Sequence, residues 1–245
     1  MSEPTQDAAI RVDDAEHDER RESVTWRQVR RPLAATLAVV VALTLAALLG
    51  RWTAQSYASS TTGVDAGFAR DMTAHHGQAV DMSMTMLAKN PSSDVRVLAY
   101  DVARTQENQR GQMMAWLSEW KLPLATDGPR MQWMLRTGHH HSGLAPGQML
   151  LRDGRMPGLA TTAQLQQLQK ASGKDAEILY LRLMIVHHRA GVEMAEAAVG
   201  AAHEPPVVRL AGTMVSGQRS EIDLMTRMLA QRGATPWSDA QAGQR

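Results

Sequence analysis

The chain has 245 residues, 44% of them hydrophobic and 21% charged, which is enough apolar content for one sizeable core or two small ones, with tails. Its formal net charge is +1 and no Lys/Arg-rich block lies outside the stretch beside an apolar run, which excludes a nucleic-acid partner held by phosphate neutralisation. Cysteine is absent, which excludes disulfides, thiolate metal sites and Cys nucleophiles and leaves His, Met, carboxylate or backbone for any metal; the 16 Met, against one Phe and three Tyr, serve equally as core filler and as soft thioether ligands.

Residues 1–31, rich in Asp, Glu and Arg without apolar periodicity, read as a disordered, solvated tail. Leu33 to Leu49, "LAATLAVVVALTLAALL", is uncharged and meets the ~17–25 residues that span a bilayer, which makes residues 32–52 a transmembrane signal anchor. Arg27, Arg30 and Arg31 precede it and only Arg51 follows closely, so the positive-inside rule puts the N-terminus in the cytoplasm and the rest of the chain outside. The alternative is a cleaved signal peptide with "SYA" at Ser56–Ala58 as its cleavage site and a secreted product; the long polar stretch ahead of the run and the run's own length favour the anchor. Residues 53–64, with "SYASSTTG" at Ser56–Gly63, read as a linker.

From Asp65 the pattern turns helical. A first helix is predicted from about Ala66 to Lys89, stopped by Asn90-Pro91, and a second from the cap "SSD" at Ser92–Asp94 to about Trp120, before Pro123. Residues 122–172 then carry Pro123, Pro129, Pro146, Pro157 and "GHHHSG", followed by a short amphipathic helix capped by Thr161 or Thr162. Helices from about Lys174 to Ala201 and from Pro206 to about Gln231 complete a second hairpin that ends at Gly233, leaving residues 233–245 as a disordered tail. With no strand pattern, residues 65–232 read as an up-down four-helix bundle: hairpins 65–121 and 173–232 joined by crossover 122–172.

The two hairpins repeat at an offset of 112 residues: "MTAHHGQAVDM" at Met72–Met82 matches "MIVHHRAGVEM" at Met184–Met194, Gln106 matches Gln218, Met113 matches Met225 and Leu117 matches Leu229. On a helical wheel His75 shares the apolar stripe with Phe68, Asp71, Met72, Ala79, Met82 and Met86, and His187 shares one with Tyr180, Leu183, Met184, Gly191, Met194 and Ala198. His76 and His188 lie at the stripe's edge. The partner helices interrupt their apolar faces with Gln106 and Gln109, and with Gln218 and Glu221. Buried polar groups of this kind cost about 1–3 kcal/mol each when unpaired, so an internal hydrogen-bonded network is expected.

That network has a metal reading and a structural one. Imidazole suits Cu, Zn, Fe and Ni while thioether favours Cu(I), so His75, His76, Met72, Met82, His187, His188, Met184 and Met194 point first to copper, with another divalent transition metal as the variant. Asp71, Gln106, Gln218 and Glu221 would then orient the imidazoles. Against this, Met at helical spacing is ordinary core filling, and a duplication copies a structural pair as faithfully as a ligand set. His139, His140 and His141 offer a weak loop site or a plain solvated tract.

The stretches "FARDMTAHHGQAVDMSMTML" and "MPGLATTAQLQQLQKASGKDAEILYLRLMIVHHRAGVEMAEAAV" resemble the extracytoplasmic bacterial family known as domain of unknown function 305, over about residues 64 to 231. The resemblance implies a ferritin-like four-helix bundle, secreted or membrane-anchored, with copper binding proposed for some members. His75, His76, Met82, His187, His188 and Met194 fill the family's two His-His-x5-Met positions. The sequence departs from the commoner pattern at Gln109, where Glu is expected, and at Arg189, where Glu or Gln is frequent, which puts metal binding by the first copy in question. No Glu-x-x-His occurs, so ferroxidase chemistry does not follow from the fold, and no hydrolase elbow, P-loop or dinucleotide fingerprint is present.

The sequence thus predicts a membrane-anchored, extracytoplasmic bundle that binds copper for buffering, storage or resistance. The alternatives are a non-metal structural or interaction module of the envelope, with an envelope protein or a second copy as partner, and a metalloenzyme, which would need an open coordination position and a substrate pocket.

Overall fold

The computed structural model describes residues 26–58, 62–138, 144–145 and 147–243. Of the disordered tail expected at residues 1–31, residues 1–25 lie outside the described residues, as does the His139–His141 tract, whereas residues 26–31 are helical and form the start of α1. The chain divides near Gly50 into two compact units.

The first unit holds most of α1 (Trp26–Ala58). Within α1, Ala34–Trp52 is long and apolar enough to cross a membrane, and none of it is buried within the protein. The helix continues to Ala58, so residues 53–58, expected as linker, are helical. Trp52 to Ala58 contains neither Gly nor Pro, and an established helix propagates at little cost until a breaker.

The second unit contains α2 (Val64–Leu87), α3 (Ser93–Glu119), a 3-10 helix at Gln132–Arg136, α4 (Thr162–Lys170), α5 (Gly173–Ala201) and α6 (Pro205–Gln231). The described residues contain helices and no strand. The long helices end within two residues of the positions their sequence signals predict. Asn90 takes a left-handed φ of 51° ahead of Pro91, which turns the chain from α2 into α3, and Gly233 at φ 70° closes α6. Thr161 caps α4 with a reciprocal capping box through Gln164. At the start of α6 the cap is remote in sequence: the buried Asp65 carboxylate accepts from the backbone N–H of His203 (3.1 Å) and Glu204 (2.9 Å).

α2 packs along α3, α5 along α6, and α2 runs beside α5. The core divides into two clusters at opposite ends of the bundle. One gathers Phe68 and Met72 from α2, Met113 and Leu117 from α3, Met194 and Ala198 from α5, and Val207 and Met214 from α6, with Met131, Trp133 and Met134 contributed by the crossover. The other gathers Met82, Met86, Val95, Val102, Tyr180, Met184, Met225 and Leu229, with Leu168 of α4. The start of α2 thus meets the end of α5, so these two neighbours are antiparallel. Arg232 fastens the second end by bonding Glu177 (2.7 Å) and Asp94 (2.9 Å), beyond the last turn of α6.

Two glycines let the crossover approach the helices. Gly67 leaves room for the Trp133 indole, which a Cβ there would meet at 2.5 Å. Gly158 has a φ of +84°, and a Cβ on it would stand 2.5 Å from Ala190 Cβ and 3.0 Å from His75 Nε2. The strap around Gly158 therefore lies directly over the middle of the bundle. It is clipped to α2 at Gln78, whose side chain accepts from Ala160 N–H (2.6 Å) and donates to Ala160 O (3.1 Å).

Candidate metal centre

Between the two apolar clusters lies a polar layer set at the midpoint of the helices. Gln106 stands 13 residues from either end of α3 and Gln218 stands 13 from either end of α6, while the two His-His pairs occupy the centres of α2 and α5. All four histidines are fully buried, and Gln106 and Gln218 are 2% and 4% exposed.

The layer is organised by three hydrogen bonds. His76 Nε2–H donates to Gln109 Oε1 (2.7 Å), His188 Nε2–H to Glu221 Oε2 (2.7 Å), and His187 Nε2–H to the backbone carbonyl of His75 (2.8 Å). An oxygen that can only accept fixes the ring proton on Nε2 and leaves Nδ1 as a bare lone pair. In each of these three rings Nδ1 is buried and has no hydrogen-bond partner. The His75 and His187 rings lie tilted against each other with centroids 3.7 Å apart and 33° between planes, which carries the layer across from α2 to α5.

Burial sets the charge state. Desolvation, reinforced by the neighbouring His188 and Arg110 and only partly offset by the Gln109 bond, lowers the His76 pKa to about 3. Desolvation and the nearby His188 likewise hold His187 well below the usual imidazole value. Both rings are neutral at pH 7, the form in which imidazole is a ligand.

The thioethers expected as ligands bracket this layer. Met72 and Met194, one from each hairpin, lie in the first cluster, and Met82 and Met184 lie in the second, all at 0–1% exposure. A soft pair therefore stands on either side of the imidazoles. Among the described residues, no three His, Asp or Glu side chains come together closely enough to hold an ion between them.

Of the residues expected to orient the imidazoles, Glu221 accepts from His188, while Asp71, Gln106 and Gln218 are placed differently. Asp71 accepts from Met131 N–H (2.7 Å), Trp133 Nε1–H (3.1 Å) and Arg130 (3.3 Å), so it anchors the crossover. A helical wheel shows that Asp71 faces inward but not which loop meets it. Gln106 and Gln218 reach no partner with either end of their amides, so the layer is a network only in part. The wheel had put them on the right face; it carries no information on the distance across to the next helix. Conversely Gln109, read as a departure that weakens the first copy, holds His76 as Glu221 holds His188, each pair 33 residues apart. That equal separation was the available signal. Gly158 had none beyond its place in "MPG". The His139–His141 loop site falls outside the described residues.

The fold and the layer define a class: a helical bundle with a buried, partly unsatisfied imidazole layer at its centre. The chain belongs to the DUF305 family (domain of unknown function), whose model matches residues 65–229. It is similar to a DUF305 protein from Streptomyces coelicolor described as secreted, with 44% identity over 73% of this chain and 99% of that one and a TM-score of 0.64. A DUF305 fragment from Deinococcus radiodurans follows at 31% identity, covering 69% of this chain and 96% of that one, with a TM-score of 0.54. CopM in its Cu(I)-bound form shares the fold at 24% identity, over 68% of this chain and 96% of that one, with a TM-score of 0.51, and CopM structures with Cu(II) and with Ag also match. None of the curated proteins compared matches the chain.

Proposed function

We propose that this protein takes up a transition metal, copper before others, in the middle layer of its bundle, and that it serves in buffering, storage or resistance. The observation that carries the reading is the set of three buried imidazoles, His76, His187 and His188, each with Nε2 held by an oxygen and Nδ1 without a partner. Metal-bound imidazoles show this arrangement, one nitrogen held by an outer acceptor and the other free to bind. His75 and the thioethers of Met72, Met82, Met184 and Met194 complete the donor set, and the mix of neutral imidazole and thioether favours Cu(I) over harder ions. The shared fold of CopM, solved with Cu(I), Cu(II) and Ag, agrees with this choice. An internal duplication accounts for the matched His, Met and acceptor positions, and α1 would hold the bundle on the outer face of the membrane, in keeping with the secreted relative.

The second reading, a structural or interaction module of the envelope, is favoured by one observation: no three His, Asp or Glu side chains converge among the described residues. A Cu(I) titration of the full chain in detergent micelles against a competing chelator separates the two. Uptake lost in His76→Leu/His188→Leu, a variant that keeps the core apolar and folded by circular dichroism, supports the metal reading. Uptake unchanged in that variant, or none in the wild type, leaves the layer as architecture.

A further inference from the structure

The two hairpins hold their histidines with unlike groups. His188 Nε2–H donates to the carboxylate of Glu221, whose side chain is 26% exposed, whereas His76 Nε2–H donates to the neutral amide of Gln109. A carboxylate offers only acceptors, so it admits one tautomer of His188, the one with Nδ1 bare. An amide has an oxygen at one end and an NH2 at the other; turned over, Gln109 would donate to His76 Nε2 and move the ring proton to Nδ1, closing that nitrogen to a metal. Glu221 also places a full negative charge beside its ring, which makes the imidazole a stronger donor and offsets an incoming cation. The His76 side has no such charge, because the Gln109 amide is neutral. Gln106 and Gln218, matched in the two halves, are both buried and both unpartnered, while His187 donates to the His75 carbonyl and His75 lies under the Gly158 strap.

We infer that Glu221 is a positioning residue that makes the α5–α6 half of the layer the first and tighter copper-loading half, while the α2–α3 half, held by Gln109, fills second and more weakly. The inference rests on the copper reading above. Order of loading follows from acceptor chemistry, because both halves present the same imidazole and thioether donors and differ in what grips the far nitrogen.

Cu(I) competition titrations of the full chain in detergent, on wild type, Glu221→Gln, Gln109→Glu and His188→Leu, test it, alongside imidazole 15N spectra of the metal-free proteins. Glu221→Gln keeps the side chain's shape and an acceptor oxygen, so the fold is retained. It should weaken the first equivalent by about 10–100-fold, the usual loss when such an outer acceptor is replaced. Gln109→Glu should strengthen the second. In the spectra, His188 should show one Nε2–H tautomer in wild type and a mixture in Glu221→Gln, a change that a purely structural role would not produce. The inference is overturned if Glu221→Gln binds the first equivalent within twofold of wild type while His188→Leu loses it, a result that leaves the copper reading intact. A wild type that takes up no Cu(I) overturns the copper reading and this inference with it.

Discussion

The apolar clusters and the polar layer between them obey opposite rules. In the clusters Phe68, Met72, Met113, Tyr180 and Met184 are sealed from solvent, and the buried hydroxyls of Ser83 and Tyr180 pair with each other at 2.9 Å. In the layer, seven side-chain nitrogens and oxygens of His76, His187, His188, Gln106 and Gln218 are buried without partners. Each such atom costs free energy that an apolar side chain of similar size would not. The ends of the bundle are therefore built for stability, and the middle gives some of it up.

Substitutions should separate the two regions by sign as well as size. The largest loss belongs to a cluster: Phe68→Ala, which removes a fully buried ring set edge-to-face on Trp133, should cost about 3–5 kcal/mol, read from urea unfolding. Next comes Gly158→Ala, which combines a left-handed φ of +84° with a Cβ 2.5 Å from that of Ala190. About 2–4 kcal/mol is expected from the two effects together. Faster hydrogen exchange at Ala160 N–H would show that the loss comes from lifting the strap.

Acid sharpens the same contrast. His76 and His187 have folded-state pKa values below the unfolded value of 6.5, so between 6.5 and the folded value the unfolded chain binds more protons. Their contribution is present above pH 6.5 and is lost as the pH falls, toward about 3 in the case of His76, at up to about 1.4 kcal/mol per pH unit for each ring. Asp71 runs the other way: burial raises it, so its contribution is present below its ordinary 3.8 and is lost as the pH rises through the raised value. His76→Gln should flatten the fall in stability between pH 7 and pH 5, and an unchanged slope would mean that His76 is not buried neutral. The smallest effect is a gain. Gln106→Met or Gln218→Met should stabilise by about 1 kcal/mol each, because an unpaired amide is replaced by a thioether. A loss on either substitution would break the contrast.

Much of the architecture was written in local signals. Asn90-Pro91, the Thr161 cap and Gly233 act through a few neighbouring residues, which is why the helix ends fall where the sequence puts them. The inward face of His75 and His187 follows from helical period alone, whereas His76 and His188, at the edge of the stripe on the wheel, are fully buried as well. What crosses between elements was not legible. Trp133 reaching Asp71 over Gly67, and Gly158 pressed against His75, depend on a crossover with no period to read. Which polar residue grips which histidine is set by distances between helices, so Gln109 was undervalued and Gln106 and Gln218 were given partners they lack.

The most direct test of a copper-binding middle layer is the copper K-edge X-ray absorption spectrum of the full chain loaded with one equivalent of Cu(I). Scattering from both imidazole nitrogen and thioether sulfur, with the nitrogen shell diminished in His76→Leu/His188→Leu, is the expected result. A spectrum without sulfur, or one unchanged in that variant, would place the copper elsewhere and contradict it.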